Sequence, residues 1–334
     1  MTNEGGLNQA LPHPTYNNFK MHAISPEQLK KIRITLKLNP QKWKEANYGS
    51  YYKTLLLFIT NRCNLHCESC FNKNNIGNSR EMSFEYVKTI IDNNPLVAKY
   101  DIMGGEPMLH TELDKILTYM DERGKKIGLY TNGMLLGRLK TTYKNLKLNL
   151  ACHSIISSNT SLKPIKIVTE QIKKFENIYP IKLCYLISKN NVSDLMPFSK
   201  YVEDNFNNIK KLTIGALRDE SDYWNNDCNN ILPLEEYPLL IQNFLDAYEG
   251  KLNVDIFTEG VVFAPKLPQS QPNQINRFKC IFVDNKYTEC LYDVGVDKKL
   301  DFNPESPIKF CNYKRCPRYG RSNCLTDKIK LIKI

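Results

Sequence analysis

The chain is predicted to be an α/β protein: a partial (β/α)6 TIM-like barrel followed by a small C-terminal cysteine-rich hairpin domain. Three observations predict this. From residue 55 onward, six apolar strand-like runs alternate with amphipathic helical stretches. Polar, chemistry-bearing residues fall just after those runs. A second group of cysteines closes the chain. Strand–helix repeats imply a parallel sheet with right-handed crossovers. Six repeats are too few to close an eight-stranded barrel, so the sheet is expected to be curved and open.

The strands are expected at 55–60, 99–103, 127–131, 147–152, 181–187 and 211–217, where β-branched and aromatic residues cluster. Helices are expected to start near the caps Ser83, Thr111 and Ser193, with others around 164–177 and 234–248, the last carrying the apolar stripe Leu240, Ile241, Phe244 and Leu245. Residues 1–53 read as an N-terminal extension with one short helix, announced by Ser25-Pro26-Glu27-Gln28. Residues 54–250 form the barrel. Residues 251–334 form a linker, rich in proline and glutamine between Pro265 and Pro272, and the hairpin domain.

No apolar run approaches the ~20 residues of a membrane span, and the polar N-terminus lacks the pattern of a signal peptide, so a cytoplasmic location is expected. In a reducing compartment eleven cysteines are not a disulfide framework. They fall into two groups, Cys63 to Cys70 and Cys280 to Cys324, with Cys152, Cys184 and Cys228 read as small buried hydrophobes. The net charge of +11 admits an anionic partner. No arginine tract interleaved with aromatics accompanies it, which disfavours nucleic acid.

The first group, Cys63, Cys67 and Cys70, is spaced C-x3-C-x2-C on the loop after the first strand. Soft thiolates select zinc, copper(I) or iron–sulfur. Three thiolates without a near fourth leave one metal position open; the bland alternative is a zinc knuckle borrowing His66 or a distant cysteine. The second strand runs into Gly104-Gly105-Glu106-Pro107. Here the glycines are expected to let the backbone approach a ligand, and Glu106 to accept a hydrogen bond from an ammonium group.

Together the two motifs resemble those of the radical S-adenosylmethionine (radical SAM) enzymes. The resemblance implies that Cys63, Cys67 and Cys70 hold a [4Fe–4S] cluster with an open iron site, and that Gly104, Gly105, Glu106 and Pro107 contact the methionine moiety of S-adenosyl-L-methionine. The chain departs from the family pattern at Ser69, where an aromatic residue is usual; Phe71 follows instead. The chemistry of parallel barrels sits at the C-terminal ends of the strands. Since family members hold the ribose and carboxylate of the cofactor there, Thr131, Asn132, Ser154, Ser188 and Asn190 are the remaining candidates, each with a helix-capping or turn role as the alternative. No catalytic acid or base is singled out.

Cys280 and Cys290 bound a predicted hairpin turning at Asp284-Asn285-Lys286, and Cys311, Cys316 and Cys324 follow. A zinc ribbon is one reading. The other resemblance is to the twitch/SPASM-like auxiliary-cluster extensions of radical SAM enzymes, which implies an auxiliary [4Fe–4S] cluster. The family also implies an oxidoreductase taking electrons from a donor such as flavodoxin or ferredoxin. The expected substrate is a peptide or protein side chain, as in peptide natural product maturases, although 53 residues leave no room for a leader-binding winged-helix module before the first strand. The alternatives are a small metabolite such as a sugar or nucleotide, and a zinc-binding RNA-interaction protein.

Overall fold

A computed structural model describes residues 54–67, 70, 72–95, 97–155, 163–216, 236–256, 278–288 and 300–305. Within them the strands are β1 (Thr54–Phe58), β2 (Lys99–Met103), β3 (Lys126–Thr131), β4 (Leu146–Ala151), β5 (Ile181–Ile187), β6 (Lys211–Ala216), β7 (Asn253–Ile256), β8 (Phe278–Phe282), β9 (Lys286–Thr288) and β10 (Leu300–Asp301). The helices are α1 (Phe84–Asp92), α2 (Leu113–Glu122), α3 (Ile165–Phe175), α4 (Leu195–Asn205) and α5 (Glu236–Ala247). The short helix expected near Ser25 lies outside the described residues.

One sheet carries all ten strands in the order β10-β9-β8-β1-β2-β3-β4-β5-β6-β7. From β8 to β7 every neighbour is parallel, and only β9 and β10 run antiparallel. The sheet is open, as the repeat count implies, but it holds eight parallel strands rather than six. The two additions are β7 beside β6 and β8 beside β1, with Phe58 opposite Phe282. Their rings stack at 4.8 Å. Both strands fall in the segment assigned above to linker and hairpin domain. Repeat counting misses them because a strand is assigned to a sheet by its neighbours and not by its own residues.

The alternation of each strand sends one set of side chains to the helices. Leu55, Leu57, Tyr100, Ile102, Ile127, Leu129, Leu148, Leu150, Leu183 and Tyr185 are buried there against Ile90, Ile116, Ile172 and Phe198. Ser83 caps α1 as expected, its hydroxyl accepting from the Tyr86 amide at 3.2 Å. At α2 the cap position is Glu112, one residue past Thr111. The Thr111 hydroxyl is diverted, donating to Glu81 Oε2 at 2.6 Å. The predicted hairpin forms between β8 and β9, with Asn285 left-handed at φ 58° in its turn. No helix among the described residues is long and apolar enough to cross a membrane.

Candidate cofactor site at the strand ends

The loops after β1 and β2 are joined by backbone. The amides of Ile59, Gly105 and Glu106 donate to the carbonyls of Met103, Thr60 and Arg62 at 2.9, 2.7 and 2.7 Å. A Cβ on Gly104 would meet the Thr60 carbonyl oxygen at 2.5 Å, and one on Gly105 would meet that of Arg62 at 2.2 Å. The close approach these glycines permit is therefore to the cysteine loop's own backbone, which locates the thiols relative to β2. Asn72, buried, adds a third tie by donating its side-chain amide to the Gly104 carbonyl at 3.0 Å. Arg62 is held by Glu81 at 3.2 Å.

Cys63, Cys67 and Cys70 are half-buried on this loop and free. Burial pushes the Cys63 thiol up, countered by the Leu65 amide, which donates to its sulfur at 3.4 Å. Burial pushes the Cys70 thiol up to about 11, with Lys163 acting in the opposite sense. A bound metal would supply the positive charge that stabilises three thiolates in so dry a setting. Among the described residues no three Cys, His, Asp or Glu side chains are drawn around a single-ion site. The thiols are near enough to feel one another's charge.

Glu106 also has a role within the protein. It is 1% exposed, and both carboxylate oxygens are engaged by the protein. Oε1 accepts from the Thr131 hydroxyl at 2.6 Å and the Met108 amide at 3.1 Å, and Oε2 accepts from the Asn132 amide at 2.8 Å. Burial raises its pKa, and those hydrogen bonds pull it back. The side chain clamps the loops after β2 and β3. Thr131 is thereby committed to the clamp. Asn132 extends it, donating its side-chain amide to Asn64 Oδ1 of the cysteine loop at 2.8 Å. Pro107 opens a short helical turn and is buried.

At the ends of β4 and β5 the pattern changes. Ser154 and Ser188 are 1% and 2% exposed, and neither hydroxyl has a hydrogen-bond partner among the described residues. Buried hydroxyls without partners are uncommon and call for an explanation; a polar ligand received at this edge would provide one. Beside them His153 is pushed down to about 3 by burial and then by Lys163, so it is neutral, and its Nδ1 accepts from the Leu186 amide at 3.2 Å. Asn190 is exposed in the turn. The next residue, Asn191, is the inward one: its Oδ1 accepts from the Ser188 amide at 2.7 Å, and its Nδ2 donates to the carbonyls of His153 and Leu186. Sequence spacing alone does not distinguish two adjacent asparagines in a turn.

The face of the sheet away from the helices carries a feature the sequence reading missed. The first residue of each of five strands to point there is a lysine: Lys99, Lys126, Lys147, Lys182 and Lys211. Lys99 lies directly opposite Lys126, Lys147 opposite Gly128 and Lys182 opposite Asn149, so the row follows the stagger of the sheet. Buried Asp101 answers part of this charge, with Lys99 Nζ 2.7 Å from Oδ1. The pKa of Lys147 is lowered by burial and then by Lys182, Lys211 and Lys99. The signal was present in the sequence as a lysine at the start of five successive apolar runs. It was hidden because inward and outward positions look alike until the strands are paired.

Of the second cysteine group, Cys280 lies on β8 opposite Leu56 of β1. Cys290, Cys311, Cys316 and Cys324 lie outside the described residues, as do Ser69 and Phe71.

Residues 57–178 match the Radical SAM superfamily, so the stretch that holds the cysteine loop and the Gly104–Pro107 turn is a Radical SAM domain. Members use a [4Fe–4S] cluster and S-adenosyl-L-methionine. Among curated relatives, a "Probable GTP 3',8-cyclase" of Methanocaldococcus jannaschii is 31% identical over 170 residues, 47% of this chain and 57% of the relative. A protein of the same name from Sulfolobus acidocaldarius is 23% identical over 287 residues, 80% of this chain and 83% of the relative. The match to the first relative thus spans little more than half of its length. Among solved structures, Streptococcus suis SuiB bound to precursor peptide SuiA aligns with a TM-score of 0.67 at 16% identity, covering 80% of this chain and 66% of that one. At that identity the likeness is one of fold.

Proposed function

We propose that this chain is a radical SAM oxidoreductase that cleaves S-adenosylmethionine reductively and uses the product to take hydrogen from a substrate held at the C-terminal mouth of its sheet. The observation that carries this reading is the cysteine loop, fixed through Gly104, Gly105 and Asn72 to the end of β2. Cys63, Cys67 and Cys70 would hold a [4Fe–4S] cluster, which when bound and reduced would supply the electron for cleavage of S-adenosylmethionine. The chain itself supplies three thiolate ligands. Glu106, Thr131 and Asn132 keep the neighbouring loops in register, and Ser154 and Ser188 offer hydroxyls to the polar groups of the cofactor. Iron and sulfide content after anaerobic reconstitution, with 5′-deoxyadenosine formation under dithionite, tests the reading. Stoichiometric zinc without iron would sink it.

For the substrate, the names of the curated relatives favour an anionic small molecule, a nucleoside triphosphate. A peptide is the second reading, supported by the open sheet and by its likeness in fold to a peptide-bound enzyme. Cys280, Cys290, Cys311, Cys316 and Cys324 are proposed to hold the auxiliary [4Fe–4S] cluster, which the entry of Cys280 into the barrel sheet beside β1 supports.

A further inference from the structure

We propose that the N-terminal end of the lysine-bearing face is a second binding site, separate from the cofactor edge, for a compact polyanion carrying a di- or triphosphate group. The site uses neither the cysteine loop nor the serines of the mouth, so it stands apart from the radical SAM reading. Lys99, Lys126, Lys147, Lys182 and Lys211 occupy the first or second position of five consecutive parallel strands, β2 to β6. Lys126 and Thr131 stand at opposite ends of β3. At ~3.3 Å per residue the lysines lie roughly 15 Å from the cofactor edge.

Curvature gathers the row. On a flat sheet, strands ~4.8 Å apart would set Asp101 of β2 and Lys182 of β5 roughly 14 Å from each other. Yet burial raises the pKa of the Asp101 carboxyl while Lys99 and then Lys182 draw it back. Lys147 is lowered by burial and then by Lys182, Lys211 and Lys99, the last two standing two strands away on either side. Four of the lysines therefore share one concave space, and Lys126 lies in register beside Lys99.

The next layer along the strands is polar and buried. Asp101, Asn149 and Thr213 are 3%, 7% and 5% exposed. Gly128 makes room between the first two, since a Cβ there would meet Asp101 Oδ1 at 2.1 Å and Asn149 Nδ2 at 3.2 Å. Thr213 follows Lys211 by two residues on the same face, and its buried hydroxyl has no hydrogen-bond partner among the described residues. Such a hydroxyl calls for an acceptor. A phosphate oxygen brought in among the ammonium groups would supply it.

Charge and geometry choose the ligand. The acidic residues of the eight parallel strands are Asp101 and Asp255, so lysines outnumber carboxylates on this face. Five lysines without an arginine offer mobile point charges rather than the rigid fork that pairs with a planar carboxylate. A singly charged anion engages one or two of them, whereas the linked charges of a di- or triphosphate reach lysines on several strands at once.

The test is calorimetry of inorganic tripolyphosphate with the full chain, beside S-adenosylmethionine binding to the reconstituted chain. Lys147→Gln with Lys182→Gln is expected to weaken tripolyphosphate at least about tenfold, equivalent to ~1.4 kcal/mol, and Thr213→Val about threefold. Lys173→Gln with Lys174→Gln removes the same charge from the exposed end of α3 and should change nothing. Affinity for S-adenosylmethionine should hold in every variant, and tripolyphosphate binding should weaken with salt. ATP bound as tightly as tripolyphosphate assigns the site to the phosphate chain alone, and ATP bound more tightly extends it to the nucleoside; both support the site when the Lys147 and Lys182 double variant loses them. No measurable tripolyphosphate binding by the wild-type chain overturns the proposal. So does equal loss in the α3 control, which would reduce the effect to net charge, and so does a parallel loss of S-adenosylmethionine affinity, which would assign the lysines to the cofactor edge.

Discussion

In the half of the mouth built by β1 to β3, the buried polar side chains have protein partners. Glu106 joins Met108, Thr131 and Asn132, while Asn72 reaches Gly104 and Asn132 reaches Asn64. In the half built by β4 and β5, the backbone is pinned by Asn191 and His153, but the hydroxyls of Ser154 and Ser188 are buried without partners among the described residues. On the proposed function the difference separates two tasks: the hydrogen bonds of the first half would hold the three cysteines in place, and the unsatisfied hydroxyls of the second would meet a ligand's polar groups.

Removing the ligands tests the first half most directly. Replacing Cys63, Cys67 or Cys70 with alanine is expected to abolish reductive cleavage of S-adenosylmethionine and remove about four irons per chain, with the circular dichroism of the fold retained. Undiminished 5′-deoxyadenosine from all three variants would break the assignment.

Next in size are changes to the scaffold itself. Gly105→Ala places a methyl 2.2 Å from the Arg62 carbonyl oxygen and forces the two loops apart. A loss of roughly 1–3 kcal/mol is expected from such overpacking, read in a denaturant melt, together with poorer cluster incorporation. Glu106→Ala leaves three donors without their acceptor, each worth roughly 1–3 kcal/mol if it stays buried and unpaired. Its main effect should be on stability. If instead stability is untouched and only cofactor affinity falls, the carboxylate is a ligand group and the contrast between the two halves is wrong.

The second half should respond in the opposite way. Ser154→Ala and Ser188→Ala remove hydroxyls that satisfy nothing within the described protein, so the melting temperature should hold or rise slightly. Affinity for S-adenosylmethionine, measured by calorimetry, should fall about tenfold, or ~1.4 kcal/mol. Equal cofactor binding with lowered stability would show that these serines are structural.

The smallest effect on stability belongs to the lysine row. The folded-state pKa of Lys147 lies below the ordinary 10.5. Between those two values the native state binds fewer protons than the unfolded one, so stability rises with pH across that window. Because the side chain is exposed, the rise should be shallow. Lys147→Gln should flatten it, and an unchanged pH profile in that variant would show that the lysine row carries no such coupling.

Much of this was legible in residue order. The strands at 99–103 and 181–187 were read with their observed bounds, and the other four of the first six to within one or two residues, because buried parallel strands are continuous apolar runs. The cysteine and glycine–glutamate–proline motifs were readable because their chemistry depends on spacing within one loop. Asn72, Asn191 and the clamp made by Glu106 were not, since each acts on a partner several to dozens of residues away, and an asparagine in a turn looks the same whether it faces water or a buried carbonyl.

By itself, then, the sequence determined the α/β repeat, the cysteine loop and the resemblance to radical SAM enzymes, since all three rest on local pattern: hydrophobic period, spacing and turn chemistry. Tertiary structure alone decided that β7 and β8 extend the sheet, that the two glycines face the cysteine loop's backbone, that Ser154 and Ser188 are left without partners, and that five lysines share one face. Each of these depends on strand order and register, which are set by contacts between segments far apart in the chain. A side chain's face is settled by its strand, but its neighbours are settled only when the strands pair.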